Sequence, residues 1–145
     1  METTTTRLTK VLKSGKDIRA ILHENESSIT TPTLQEHLEK LLISKSLKRQ
    51  DVIKRAGLDS NYVNQFFSGL RAKPGRDQAL SLAFGFGLGK DETDRLLKIA
   101  GVGALYPKNK RDAVIIHSLE NGKPIAETNE ILISIGLGIL PSHIK

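Results

Sequence analysis

Between Ser60 and Ser68 the chain reads SNYVNQFFS. On a helix, Val63, Phe66 and Phe67, with Leu70 just beyond, share one face, while Ser60, Asn61, Asn64, Gln65 and Ser68 share the other. A face that only met water would be written in Lys and Glu, which are better helix formers than Ser and Asn. Amides and hydroxyls offer uncharged, directional donors and acceptors. The chemistry available here is hydrogen-bonded recognition, not proton transfer.

Other chemistries find no constellation. His23, His37, His117 and His143 are far apart, and none has a second His at i+3 or i+4. Cysteine is absent, which removes thiolate metal sites, Cys nucleophiles and disulfides. Carboxylates fall in helix first turns or beside Lys, as Glu36 and Lys40 do, where dipole and pairing effects account for them. FGFGLGK has glycines and a Lys but lacks the spacing of a phosphate loop, so its glycines read as helix endings. The expectation is a protein that is not an enzyme and holds no metal or cofactor.

The 145 residues carry a formal charge of +6. From Ser44 to Arg76 there are eight basic residues against two acidic, Asp51 and Asp59, so this segment holds the whole excess and the rest of the chain is neutral. Localised positive charge is the footprint of a polyanionic partner. The N-terminus has no apolar signal-peptide region, and the longest apolar stretch, Ile131 to Leu140, is half the roughly 20 residues a membrane span requires. A soluble, cytoplasmic protein with no membrane partner is expected.

The elements that must position the polar face are all helical. Residues 1 to about 15 read as poorly ordered or weakly helical, a short helix follows over 17–24, and ENESSITTPT is a linker. Pro32 starts a helix carrying Leu34, Leu38, Leu41 and Leu42 on one face. A second covers about 48–56 and ends at Gly57; Asp59 or Ser60 caps a third, running to about Ser68. A fourth begins near 75–77 and is broken by FGFGLG, and a fifth ends at Gly101.

The pattern then repeats with an offset of 35. Lys73, Arg76, Asp77, Gly87, Glu92, Thr93, Leu97, Gly101, Gly103 and Leu105 recur as Lys108, Arg111, Asp112, Gly122, Glu127, Thr128, Leu132, Gly136, Gly138 and Leu140. Amphipathic periodicity alone does not demand the matched Gly and Arg-Asp positions, so the hairpin is read as duplicated.

The stretch LKRQDVIKRAGLDSNYVNQFFSGLRAKP resembles the helix-turn-helix of the Cro and phage-repressor-like (XRE) family of DNA-binding domains. The matching positions are Val52, Ala56, Gly57, Val63, Gly69, Arg71, Lys73 and Pro74, and the resemblance covers roughly Leu34 to Gly101. The expected fold is all-α. An N-terminal extension and linker (1–31) precede a five-helix repressor-like helix-turn-helix domain (32–105), which the second hairpin (106–145) extends. The resemblance implies that the third helix, about 60–68, enters the major groove of double-stranded DNA. Ser60, Asn61, Asn64 and Gln65 would then contact base edges. Lys48, Arg49, Tyr62, Arg71, Lys73 and Arg76 would contact phosphates. Lys54 and Arg55 point away from the expected groove side.

The implied function is sequence-specific transcriptional regulation. The rival reading is a protein-interaction adaptor or antitoxin-like signalling partner acting through the duplicated hairpin. The apolar stretch from Ile131 to Leu140 is richer than one helix face requires, and reads as packing against the first hairpin, a homodimer interface or a protein-partner surface.

Overall fold

Thr33 starts the first long helix through a reciprocal cap. Its hydroxyl accepts from the Glu36 N–H, and the Glu36 carboxylate accepts from the Thr33 N–H, each at 3.1 Å. Those bonds hold the Glu36 carboxyl below the usual carboxylate range. Pro32 therefore precedes the cap and is not the first helical residue. The computed structural model describes residues 4–24 and 32–141, and all nine helices among them are α-helices, with no strand. They are α1 (Thr4–Leu12), α2 (Ile18–Glu24), α3 (Leu34–Ser44), α4 (Arg49–Ala56), α5 (Ser60–Phe67), α6 (Arg76–Phe86), α7 (Lys90–Ile99), α8 (Lys110–Glu120) and α9 (Ile125–Ser134). The fold is all-α.

The chain divides into two units, Met1–Pro32 and Thr33–Lys145. In the first, α1 lies in the stretch expected to be poorly ordered or weakly helical, and α2 begins where the Asp17 carboxylate accepts from the Arg19 N–H at 2.9 Å. The linker expectation falls mostly on residues 25–31, outside the described residues. The second unit contains both hairpins, and one cluster of buried side chains runs from Leu34 through Leu97 to Ile115 and Leu140.

Within that unit α3 packs on α5 and α7, and α4 packs on α5 and most extensively on α6. Gly85 makes the α4–α6 contact close. A Cβ there would stand 2.5 Å from the Val52 carbonyl oxygen and 3.1 Å from the Ala56 Cβ. Gly85 is thus inside α6, and the helix ends two residues later at Gly87, which takes the left-handed conformation (φ 70°). The reading of FGFGLG as a run of helix-ending glycines holds for Gly87 and fails for Gly85.

The duplication is structural. Asp94 accepts from the Leu105 N–H at 2.8 Å, and at the equivalent positions Asn129 accepts from the Leu140 N–H at 2.9 Å. Arg76 donates to both Asp112 oxygens (3.1 and 2.8 Å), and Arg111 donates to both Asp77 oxygens (2.9 and 3.1 Å). Each arginine also donates to two carbonyls of its own copy, Gly103 and Ala104 for Arg76, Gly138 and Ile139 for Arg111. Each copy's Arg thus holds the other copy's Asp. This is the reciprocity of an isologous, two-fold contact, here inside one chain. Burial by itself raises the Asp112 carboxyl. The hydrogen bonds from Arg76 and the Tyr106 N–H, with the charges of Arg76 and Arg111, outweigh it and hold the group below its ordinary value.

Candidate nucleic-acid interface

Gly57 ends α4 in the left-handed conformation (φ 69°), and only Leu58 and Asp59 follow before α5. Asp59 is the cap: its carboxylate accepts from the Tyr62 N–H at 3.1 Å. Val63, Phe66 and Phe67 are buried on the inner face of α5. Gln35 of α3 donates to the Phe67 carbonyl at 3.1 Å, and the Arg71 N–H donates to the Gln65 carbonyl at 3.0 Å, so the far end of α5 is tied as well. Gly69 follows at φ 83°, and a Cβ there would meet the Gln35 amide oxygen at 2.5 Å.

With the apolar face fixed, Ser60 and Asn61 are exposed and Tyr62, Asn64 and Gln65 are half-buried. Two arginines meet the amides. Arg49 lies over the Phe67 ring, 4.7 Å from its centroid, and donates to Asn64 Oδ1 at 3.5 Å and to Glu39 Oε1 at 3.3 Å. Arg71 donates to Gln65 Oε1, and its guanidinium stands 6.0 Å from the centre of the Tyr62 ring. Tyr62 itself packs edge-on to Phe66 at 5.0 Å. With their oxygens accepting from arginine, Asn64 and Gln65 keep amino groups as donors. Ser60 and Asn61 make no side-chain hydrogen bond among the described residues and retain both donor and acceptor.

The structure therefore brings Ser60, Asn61, Tyr62, Asn64, Gln65, Arg49 and Arg71 together on or beside α5. Lys48 is the residue just before α4, with no side-chain capping bond, and Lys73 lies in the segment leaving α5; both are exposed. Arg76 is a correction to the sequence reading: its guanidinium is committed to Asp112, Gly103 and Ala104 and is not a free phosphate donor. Glu39, which the sequence reading passed over, pairs with Arg49, and Glu92 pairs with Lys45 at 3.2 Å. Of the basic segment, Lys48, Lys54, Arg55, Arg71 and Lys73 have no carboxylate partner among the described residues.

Among the described residues no group of three or more His, Asp or Glu side chains converges to hold a metal ion. His37 is buried in α3, His117 is exposed in the last turn of α8, and His143 lies outside the described residues. No described helix is long and apolar enough to cross a membrane. No family model, curated protein or solved structure matches the chain.

Proposed function

We propose that this protein binds double-stranded DNA in a sequence-specific way and regulates transcription, with α4 and α5 acting as a helix-turn-helix and α5 lying in the major groove. One observation carries the reading. The outer face of α5 is a row of amides and a hydroxyl, held by a buried inner face and bracketed by Lys48, Arg49, Arg71 and Lys73. Asn61, with donor and acceptor both unengaged, suits the paired contact to adenine. Asn64 and Gln65, oriented by Arg49 and Arg71, suit acceptors on a base edge, and the Tyr62 hydroxyl suits a phosphate.

The test separates reading from holding. Asn61→Ala relaxes sequence preference at its base pair by about 1–3 kcal/mol of discrimination. Lys73→Ala weakens binding to every sequence alike and lowers the salt slope by about one. Equal weakening on all sequences by both changes would remove α5 as the reading element.

A second reading has its own observation. Ile133, Ile135 and Ile139 of the second hairpin are 64%, 45% and 49% exposed. An adaptor or homodimer surface there would be abolished by Ile133→Ser and Ile139→Ser, and left intact by Asn61→Ala.

A further inference from the structure

Lys54 and Arg55 are exposed on α4, and the α5 reading gives them no role. Both line a cleft of about 680 Å³ formed by α4, the ends of α6 and α8, and the start of α9. Its floor is apolar: Phe84, Leu88, Leu119 and Ile125. Phe84 and Leu119 are equivalent positions of the two hairpins, as are Gly87 and Gly122, which form part of the wall. A Cβ at either glycine would meet nothing within 4 Å, so the wall is open there. The duplicated helix ends thus make a recess, and α4 brings charge to it from one side.

That charge is lopsided. Lys54, Arg55 and Lys123 line the cleft against a single carboxylate, Asp51. Neither Lys54 nor Arg55 has a carboxylate partner among the described residues, and the Lys123 ammonium stands 3.8 Å from Glu127. Cations with apolar stems around an apolar floor match a ligand with a hydrocarbon body and an anionic head. The volume lies within the range of about 300–1,000 Å³ typical of small-molecule sites.

We propose that this cleft binds a small amphiphilic carboxylate, its hydrocarbon body on Phe84, Leu88, Leu119 and Ile125 and its head group among Lys54, Arg55 and Lys123. The proposal is independent of DNA binding.

The experiment titrates the full-length protein with decanoate and with decan-1-ol, by calorimetry and by amide chemical shifts. Decanoate binds saturably, a single molecule per chain, and shifts the amides of residues 84–88 and 119–126. Decan-1-ol binds about tenfold more weakly, and K54Q/R55Q weakens decanoate by about the same factor. A126W, a bulky change at an exposed lining position, abolishes binding, while K73Q leaves it unchanged. The proposal is overturned by an absence of binding up to the solubility limit, or by affinity that K54Q/R55Q and A126W do not alter. Shifts that map to residues 133–139 would overturn it equally.

Discussion

Arg76 holds Asp112 with two parallel hydrogen bonds of 3.1 and 2.8 Å, across 36 residues of chain and from one copy of the repeated hairpin to the other. The Asp112 side chain is 8% exposed, so its charge depends on this guanidinium. Arg111 and Asp77 make the same exchange in the opposite direction. The two hairpins are clasped together, and the second is part of the body that holds α5.

Arg76→Ala leaves Asp112 nearly buried without its counter-charge. We expect a loss of about 2–3 kcal/mol in denaturant unfolding. Lys in place of Arg76 does not restore it, because the bidentate fork and the two carbonyl contacts need a guanidinium. Lys73→Ala, three residues earlier and exposed, changes stability by no more than about 0.5 kcal/mol. Similar stability losses for the two variants would refute the clasp.

Gly85→Ala destabilises although Ala is the better helix former by about 1 kcal/mol. The added methyl group would stand 2.5 Å from the Val52 carbonyl oxygen, and forcing α4 and α6 apart costs about 1–3 kcal/mol. Gly138→Ala, with nothing within 4 Å of the new carbon, serves as the control and stays within about 0.5 kcal/mol of the parent. Thermal melts of the two variants settle the comparison.

His37 is buried on α3, and burial, reinforced by the charges of Arg95 and Lys40 against that of Glu92, pushes its imidazole below the ordinary value near 6.5. The unfolded chain then binds the proton first. His37's contribution is complete above about pH 6.5 and is lost as the pH falls toward its folded value. Asp112 acts in the same direction lower down. Its contribution is present above the unfolded carboxyl value near 4 and is lost as the pH falls through the depressed folded value. His37→Gln should flatten the stability profile just below about pH 6.5 and leave the acid limb in place. A profile unchanged by that substitution would show that His37 is not the titrating group.

Glu39 holds Arg49 at 3.3 Å and competes with any phosphate for it. Glu39→Gln releases the guanidinium and removes a negative charge beside α5. Non-specific DNA affinity should rise about two- to fivefold with a salt slope steeper by up to about one, while stability moves by less than about 1 kcal/mol. Weaker DNA binding in this variant would mean that Glu39 orients Arg49 for its contact.

Local signals of this fold were legible and long-range ones were not. Gly57 and Asp59 mark the turn before α5 because a left-handed helix end and an N-cap are written in single residues. Thr33 with Glu36 marks the start of α3 in the same way, one residue after Pro32. The repeat was legible in its glycines and its Arg-Asp pairs. The family resemblance nevertheless places Arg76 among the phosphate contacts, because its partner is 36 residues away and leaves no local sign. The repeat held the needed clue: a residue that recurs with its neighbour in both hairpins serves what the hairpins share. Gly85 looked like a helix end because helix period says nothing of how closely another backbone approaches. The Arg49–Glu39 and Lys45–Glu92 pairs were invisible for the same reason as Arg76–Asp112.

Sequence-specific recognition by α5 is tested most directly by binding of the purified protein to a pool of genomic DNA fragments, followed across salt concentration. Retention of a few fragments at physiological salt is expected. A salt slope of about −2.7 per chain is expected, from Lys48, Arg71 and Lys73 each neutralising a phosphate, with Arg49 held by Glu39. Weak binding that ignores sequence and vanishes as salt rises would contradict it, leaving the basic segment as an electrostatic surface and the exposed isoleucines of the second hairpin as the place to look for partners.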